Sequence, residues 1–451
     1  GKMDTQQTCD LLIKNATVLL PDMTLQADTA IAVDAGRIVD IDESSILAQH
    51  YAAETTLDGS GKVAMPGLVD GHTHVCQQLL RGRITDEPPM IWVRFLVPFE
   101  SQLQPEDVYW SAMLSSVEMI KAGITTFADA GGRHMGEAAR AVEEIGLRAC
   151  IARSTMDAAE FVPDTMKDST AEAIARTEML FDEWHGKGND RIHIWFALRQ
   201  VMTSTPELVE GIAASARERA TGLHIHLAEH LKEVEHCVVN YGLRPAEWLD
   251  SLDFLGPDVL AAHSVVLSDR EVQLVTERGT VPVHCPRSNL NSHGFPKTPL
   301  FLSLGSPIGV GSDGASGGKI DLFAELRLLK SAIQASRGLP INDATVLPVE
   351  DALRMATSGG ARALLLDTQI GTLEIGKKAD IVLVGHTAPH MQPTHHLLRT
   401  LVMCATPQDV RDVIVDGNVL MRDRALTQID EDEVIRKAAE HMDAIAERAG
   451  F

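Results

Sequence analysis

The sequence lacks several features that would indicate secretion or a membrane. Its six cysteines are scattered and contain no CxxC pair, so we predict neither a disulfide framework nor a thiolate zinc site. No apolar run approaches the ~18 residues that a membrane span requires. The first residues show no basic-then-apolar signal segment. We therefore expect a cytoplasmic protein in a reducing compartment.

Positive charge is also scarce. The chain has 40 Lys and Arg against 63 Asp and Glu, a formal net charge of −23. Nucleic acids and anionic membranes favour basic faces, so we expect neither as a partner. The composition favours a small-molecule substrate instead, and we expect a homo-oligomer.

The chain is long, and its apolar and polar residues follow regular patterns. Of 451 residues, a (β/α)8 barrel would use about 250, leaving enough for a second unit. Alternating runs broken by turn residues at both ends predict a small β-sandwich domain built from residues 1–66 and 371–451, with a C-terminal helix. Between them, residues 67–370 alternate apolar runs with helical stretches, which predicts an α/β fold of the TIM-barrel type.

Eight short apolar segments in the middle of the chain are candidate barrel strands. They are residues 67–70, 125–128, 149–152, 192–197, 223–227, 260–262, 280–284 and 308–311. Eight is the number that a closed parallel barrel needs, and the chemistry of such barrels lies at the C-terminal strand ends. Polar residues that follow these segments are therefore the candidates for function.

A metal site is predicted from four of these strand-end residues. His72 and His74 are two residues apart on one strand, so both imidazoles point to the same side. His226 and Asp313 end later strands and complete a set of three nitrogens and one oxygen. Such an open site is typical of catalytic zinc, although Fe2+ or Mn2+ could be held similarly. The fourth strand ends without a lysine to bridge a second ion, so we expect one metal.

Two further strand-end residues are candidates for proton transfer. Glu229 follows His226 by three residues, and zinc deaminases generally use a glutamate that is not a ligand to move protons. His263 ends the sixth candidate strand, where it could orient or deprotonate a water molecule. We expect Glu229, His263 and Asp313 to be the catalytic residues.

Together with these residues, several motifs make the chain resemble the amidohydrolase superfamily. The resemblance is to the branch of S-adenosylhomocysteine/methylthioadenosine deaminases, guanine deaminases and s-triazine hydrolases, and it spans nearly the whole chain. The motifs lie at residues 66–74, 79–82, 122–126, 226–229, 262–263, 284–289, 311–315 and 371–382. The resemblance implies that His72, His74, His226 and Asp313 bind metal, that Glu229 and His263 handle protons, and that Asp313 passes a proton toward the leaving group.

The implied activity is that of a metal-dependent aminohydrolase, which deaminates an amino-substituted nitrogen heterocycle of purine, pterin, pyrimidine or triazine type through a metal-bound hydroxide. The same machinery would serve hydrolysis of another leaving group, such as chloride, alkylamine or thioether, or of a cyclic amide. A non-catalytic scaffold is a remote alternative, because it would not need all six residues.

The substrate pocket is where the chain departs from its relatives. Nucleoside-type deaminases of this branch carry Pro-His after strand 4 and Ser-Asn-Leu-Lys after strand 7, whereas this chain has Ala-Leu-Arg-Gln at 197–200 and Ser-Asn-Leu-Asn at 288–291. Trp92 and Glu100, however, resemble base-stacking and ribose-binding positions. The residues predicted to contact substrate are Gln77, Trp92, Glu100, Arg153, Arg199 and His284, with Arg199 contacting an oxygen-rich or anionic part.

Overall fold

A computed structural model describes residues 5–158 and 161–449 of the chain, which form two β-sheets. The first begins at the amino end with five strands and one helix: β1 (Gln7–Leu19), β2 (Leu25–Asp34), β3 (Arg37–Glu43), α1 (Ser44–His50), β4 (Tyr51–Asp58) and β5 (Lys62–Pro66). Ala35 and Gly36 connect β2 and β3 with φ of 49° and 77°. Positive φ at both positions is typical of tight hairpin turns.

The second sheet contains eight parallel strands in sequential order. They are β6 (Leu68–Thr73), β7 (Ile124–Asp129), β8 (Arg148–Thr155), β9 (Ile192–Leu198), β10 (Leu223–Leu227), β11 (Val259–His263), β12 (Val281–His284) and β13 (Gly309–Val310). These strands are almost entirely buried, because the barrel interior covers one face and helices cover the other. Each overlaps one of the eight segments predicted from the sequence.

Contacts beyond the last strand bring the two edges of the barrel together. The Asp313 N–H donates to the His72 carbonyl over 2.9 Å. A Cβ on Gly311 would lie 2.7 Å from the backbone N and O atoms of His72, so only glycine permits this approach. The TIM-type barrel predicted from the sequence is confirmed.

Helices surround the barrel and connect its strands. They are α2 (Val97–Glu100), α3 (Pro105–Lys121), α4 (Met135–Ile145), α5 (Thr170–Trp184), α6 (Lys187–Asp190), α7 (Pro206–Glu218), α8 (Leu231–Tyr241), α9 (Pro245–Ser251), α10 (Asp269–Glu277), α11 (Pro286–Ser292), α12 (Thr298–Ser303), α13 (Leu322–Ile333), α14 (Val349–Met355) and α15 (Ser358–Ala363). Side-chain caps stabilise the first turns of several helices. Ser268, for example, accepts from the Glu271 N–H over 3.1 Å, and the Glu271 carboxylate accepts from the Ser268 N–H.

The chain then returns to the first sheet. It adds β14 (Ile381–Gly385), β15 (Val410–Val415), β16 (Asn418–Arg422) and β17 (Ala425–Leu426), with helices α16 (Leu397–Cys404) and α17 (Glu431–Ala449). Strand β14 pairs antiparallel with β5, so hydrogen bonds join both chain ends into one mixed nine-stranded sheet. We propose domain boundaries at 66/67 and 370/371.

A buried ion-pair network joins this sheet to the amino ends of the barrel strands, which we call the foot of the barrel. Arg148 at the start of β8 donates to both carboxylate oxygens of Asp380, over 2.8 and 3.1 Å, and to Asp416 over 3.1 Å. Asn189 donates to the second oxygen of Asp416 over 2.9 Å. Both parts of the chain therefore share one satisfied polar cluster.

All six cysteines are free thiols, as their scattered positions predict. Among the described residues, no helix is both long and apolar enough to cross a membrane.

Candidate active site

The carboxyl ends of the barrel strands, which we call the mouth, bring the predicted metal ligands together. His72 and His74 come from the end of β6, His226 lies on β10, and Asp313 follows β13. His72 Nε2 lies 3.0 Å from Asp313 Oδ1, and His74 Nε2 lies 3.3 Å from the same oxygen. His226 Nε2 lies 3.2 Å from His74 Nε2. Tetrahedral ligands around a zinc ion are about 3.4 Å apart, so these three donor pairs have the spacing of ligands to one ion. One ring nitrogen of each of the three histidines also lies within 4.8 Å of the other two.

The other ring nitrogens determine how two of these imidazoles are oriented. His226 Nδ1 donates to the Arg199 carbonyl over 2.8 Å, which leaves the lone pair on Nε2. His72 Nδ1 lies 2.8 Å from Nε2 of His224. Second partners of this kind are usual for metal-binding histidines. The lone pair of His226 Nε2 therefore points toward His74, where it can bind a metal ion or accept a hydrogen bond from His74 Nε2.

His224 was given no role by the sequence analysis. A signal was present, because His224 and His226 are two residues apart on β10 and therefore share a face. His224 is buried and supports His72 rather than joining the cluster of Nε2 atoms.

The two other candidate proton-transfer residues, Glu229 and His263, lie beside the ligand Asp313. His263 Nε2 is 3.6 Å from Glu229 Oε2 and 4.0 Å from Asp313 Oδ1. On its other side, His263 Nδ1 accepts from the amide of Asn289 over 2.9 Å, and the Asn289 oxygen is held by the Cys285 N–H. This arrangement puts the proton of a neutral His263 on Nε2, facing the two carboxylates.

Burial and neighbouring charges set the ionisation of this group. Burial lowers the pKa of His263 to about 4, so the ring is neutral at physiological pH. Burial raises the pKa of Glu229, although the nearby His293 opposes this. Burial also disfavours the charged form of Asp313, but the imidazoles of His263 and His72 hold the pKa of Asp313 well below its usual range. Of the two carboxyl groups, Glu229 is thus the one more easily protonated and Asp313 the one more easily ionised.

The backbone at the mouth is held in unusual conformations. Ala228, His263 and Asp313 have φ of 50°, 75° and 58°, in the left-handed region that residues with a Cβ rarely adopt. Such strain persists where the surroundings enforce it and is concentrated at functional sites. Here it turns the chain sharply at three strand ends, where the functional side chains must point inward.

A cavity of about 310 Å3 opens directly above this cluster. Two of its lining residues, Glu229 and Asp313, belong to the predicted chemistry, and a third, Trp92, to the predicted substrate contacts. The remaining lining residues are Ile84, Thr85, Asp86, Glu87, Pro89, Met90, Ile91, Leu96, His230, Arg287, Ser288, Asn291, Ser292, His293, Ser316 and Gly317. Many of these come from the chain between β6 and α2, which folds over the mouth.

Three of the predicted substrate contacts form a buried cluster behind the ligands. The Glu100 carboxylate accepts from Arg199 over 2.6 Å and from Gln77 over 2.7 Å. Arg199 is 2% exposed and Glu100 is fully buried. As far as the described residues go, none of the three lines the cavity, because the ion pair directs the guanidinium toward Glu100.

The last two predicted contacts are also engaged elsewhere. Arg153 pairs with Asp168 over 2.6 Å. His284 donates from Nδ1 to the His263 carbonyl over 2.9 Å. Within the described chain neither residue lines the cavity.

Several polar lining residues were not among the predicted substrate contacts, and the larger side chains among them include His230, Arg287, Asn291 and His293. Three of them come from α11 and the residue after it, so the motif Ser288-Asn-Leu-Asn291 was the available signal. His230 has a local role that explains its presence, because Nδ1 accepts from the Lys232 N–H over 3.1 Å at the start of α8.

Known proteins are similar to this chain over most of its length. Residues 63–420 match the Amidohydrolase family. The 5-methylthioadenosine/S-adenosylhomocysteine deaminase of Desulforudis audaxviator (strain MP104C) is 37% identical over 431 residues, 95% of this chain and 97% of the relative. That of Pelotomaculum thermopropionicum (strain DSM 13744 / JCM 10971 / SI) is 36% identical over 435 residues, 95% and 97% of the two chains.

Solved structures show a similar architecture. A crystal structure described as an adenosine deaminase from Xanthomonas campestris with bound zinc has a TM-score of 0.92 and 32% identity, covering 98% of this chain and 99% of the other. Atrazine chlorohydrolase from Arthrobacter aurescens TC1 has a TM-score of 0.86 and 24% identity over 96% and 100% of the two chains. The second likeness is evidence for the fold alone.

Proposed function

The chain belongs to the amidohydrolase family, and from this premise we propose that it is a metal-dependent aminohydrolase acting on an amino-substituted nitrogen heterocycle. The reaction consumes one water molecule, replaces the ring amino group by oxygen and releases ammonia. The observation that carries the proposal is the convergence of four metal-binding donors with Glu229 and His263 under one cavity. Relatives named as deaminases support it.

We propose that His72, His74, His226 and Asp313 hold one divalent transition metal ion. Zinc is the metal we expect, and Fe2+ or Mn2+ are the alternatives. Asp313 Oδ1 lies 3.0 Å from His72 Nε2 and 3.3 Å from His74 Nε2, and His226 Nε2 lies 3.2 Å from His74 Nε2, which supports a single small ion. When bound, the ion would supply the Lewis acidity that lets a water molecule lose its proton near neutral pH.

The chain's own residues would move the remaining protons. Because Asn289 keeps the proton of His263 on Nε2, we assign His263 to orienting the attacking water rather than to deprotonating it. Glu229, whose pKa is raised by burial, would protonate a ring nitrogen beside the reacting carbon. Asp313 would pass a proton from the water to the departing amine. The hydroxyl proton of the resulting adduct would return to Glu229. One proton of the water thus ends on ammonia, and the other replaces the proton that Glu229 gave to the ring nitrogen.

Substrate contacts follow from the walls of the cavity. Trp92 offers an aromatic face for a planar ring, and it is itself held edge-on to Phe161, with ring centroids 5.8 Å apart. Arg199 remains a proposed contact for an oxygen-rich or anionic part of the substrate, although its guanidinium is paired with Glu100. Gln77, Glu100, Arg153 and His284 remain proposals of the same kind.

The test is a screen for ammonia release, with the metal content measured on the same sample. The compounds would be aminopurines, aminopyrimidines, pterins and aminotriazines, each also as a nucleoside where one exists, together with chloro-, alkylamino- and methylthio-triazines. We expect turnover of at least one amino-substituted ring and none by Glu229→Gln above background. Release of chloride, amine or thiol without ammonia would instead favour hydrolysis of another leaving group.

A further inference from the structure

Glu233 is a buried acidic residue just beyond the candidate active site. It is the third residue of α8, and it is 1% exposed. Its Oε1 accepts from the Ala228 N–H over 3.1 Å, and its Oε2 accepts from the Glu229 N–H over 3.0 Å. The two oxygens of one carboxyl group therefore hold two consecutive backbone N–H groups of the turn that carries Glu229.

A glutamate at the third position of a helix usually bonds elsewhere. In a capping box it accepts from the N–H of the residue before the helix, which is His230 here. Glu233 instead reaches one and two residues further back along the chain. The first turn of α8 has another cap, because His230 Nδ1 accepts from the Lys232 N–H over 3.1 Å. The two bonds of Glu233 therefore stabilise the turn before the helix.

The turn that Glu233 holds has an unusual backbone conformation. Ala228 has φ of 50°, in the left-handed region that alanine rarely adopts. Successive N–H groups in such a turn can converge on one anion, and here the Glu233 carboxyl group occupies that place. The Ala228 carbonyl accepts from the N–H groups of Val265 and Val266 over 3.2 and 2.8 Å. The peptide group between Ala228 and Glu229 is thus held at both its N–H and its carbonyl.

This turn determines where the Glu229 side chain points. Glu229 comes two residues after the end of β10, and its carboxyl group lies 3.6 Å from His263 Nε2 and 3.6 Å from His293 Nε2. Both distances are longer than a hydrogen bond. The direction of the side chain therefore depends on the backbone from which it extends.

We propose that Glu233 is a positioning residue, which holds the turn at Ala228 so that the Glu229 carboxyl group faces the ring nitrogen it protonates. The inference rests on the proposed function. Within the part of the chain that the structure describes, Glu233 does not line the cavity, so its effect reaches the substrate only through the turn. Loss of Glu233 should lower kcat, because a displacement of about 1 Å can cost ~10² in rate, while the walls that bind the substrate stay in place.

The kinetic test compares Glu233→Met with a matched control, Glu271→Met. Glu271 is also buried, is the third residue of α10 and accepts from two backbone N–H groups. Those groups belong to Ala246 and Ser268, over 2.9 and 3.0 Å, at the starts of α9 and α10. Methionine keeps the length of the side chain and removes both acceptors in each case.

We expect different results from the two variants. Glu233→Met should lower kcat by at least ~10-fold with KM changed by less than ~2-fold. Glu271→Met should lower the free energy of unfolding while kcat stays within ~2-fold of the wild type. Burial raises the pKa of Glu233 to about 8, although the two N–H groups oppose this. The holoenzymes are therefore compared at pH 9, where the Glu233 carboxyl group is ionised.

Hydrogen–deuterium exchange measures the turn itself and needs no substrate. In Glu233→Met the amides of Ala228 and Glu229 should exchange at least ~10-fold faster than in the wild type. In Glu271→Met their exchange should be unchanged. Glu233→Gln retains one acceptor oxygen, so we expect a smaller rise in exchange and a smaller loss of kcat. This milder variant replaces Glu233→Met in both measurements if the methionine protein does not fold.

Three outcomes would overturn the proposal. They are a wild-type kcat in Glu233→Met with the metal content maintained, equal losses of kcat in Glu233→Met and Glu271→Met, and unchanged exchange of both amides. If no compound releases ammonia, the proposed function fails, and exchange alone tests Glu233. Faster exchange at Ala228 and Glu229 would then still support the role of Glu233 in holding the turn.

Discussion

Buried polar groups cluster at both ends of the barrel, and the two ends treat them in opposite ways. At the foot, the two carboxylates that surround Arg148 receive hydrogen bonds on all four oxygens. At the mouth, Nδ1 of His74, Nε2 of His263 and Nδ1 of His293 have no hydrogen-bond partner among the residues that the structure describes. The Arg148 cluster at the foot is complete within the protein, whereas imidazoles at the mouth have nitrogen atoms left to bind another group.

Backbone conformation does not distinguish the two ends. At the foot, Ala220 three residues before β10 has φ of 52°, and Asp416 has 54°. At the mouth, Ala228 directly after β10 has φ of 50° and Asp313 has 58°. The difference therefore lies in the hydrogen bonds: a satisfied network stabilises a junction, and an unsatisfied one is typical of a binding site. Whether a substitution costs stability or function assigns its residue to the first kind or the second.

The largest effect is expected at the proposed metal ligands. His226→Ala should lower bound metal far below one ion per chain and reduce turnover to background, because an open four-ligand site has no spare donor. Elemental analysis and the ammonia assay on the same sample measure both. His236→Ala, a half-exposed histidine of α8, is the control and should change neither. Two tightly bound ions per wild-type chain, or full activity after exhaustive chelation, would contradict the assignment.

At the foot, the expected effect is on stability alone. Arg148→Met would leave Asp380 buried without its cation and Asp416 with only Lys378 at 3.6 Å. Breaking a buried pair in this way costs about 3–5 kcal/mol of unfolding free energy. Urea denaturation measures the loss. Metal content and kcat at low temperature should stay at the wild-type values, and adding Asp380→Asn and Asp416→Asn should restore part of the stability. Loss of kcat without loss of stability would show that the two ends are coupled.

Glu229→Gln tests the proton-transfer assignment at the mouth. We expect kcat to fall by at least ~10², the scale of a lost general acid or base, while metal content and unfolding are maintained. Gln has nearly the same shape but cannot exchange the proton. Steady-state kinetics and elemental analysis on one preparation decide the matter, and release of the metal would instead make Glu229 a ligand.

The smallest effect is expected for Arg199. Like Arg148 it is buried and paired with a carboxylate, but it lies at the mouth. As a substrate contact, its replacement in Arg199→Met should raise KM by about 10-fold with metal content intact, and the wild type should be poor on adenosine. Because the same change leaves Glu100 unpaired, kinetics should be compared with the double variant Arg199→Met/Glu100→Gln, which removes that penalty. Unchanged KM in the double variant would assign Arg199 to the structural kind, like Arg148.

Much of the fold and of the proposed chemistry was predictable because it depends on local patterns. The segment 223–227 coincides with β10, since a short apolar run at a regular interval has one favourable place in a barrel. The spacing of His72 and His74 predicted a shared face, and strand order then predicted that His226, His263 and Asp313 would meet them. Both chain ends show the same alternation of apolar and polar residues, which predicted that they form one domain.

The partners of the charged groups depended on tertiary structure alone. Glu100 and Arg199 are 99 positions apart. No pattern in the sequence predicts that these two side chains form an ion pair. The sequence also does not show that His293, directly after α11, lies beside Glu229. That position depends on Asn289, which accepts from the His293 N–H and whose side chain is held at the ends of β11 and β12. Hydrophobic period reports which face is buried, but electrostatic pairing depends on distances of a few ångströms that exist only after the barrel has closed.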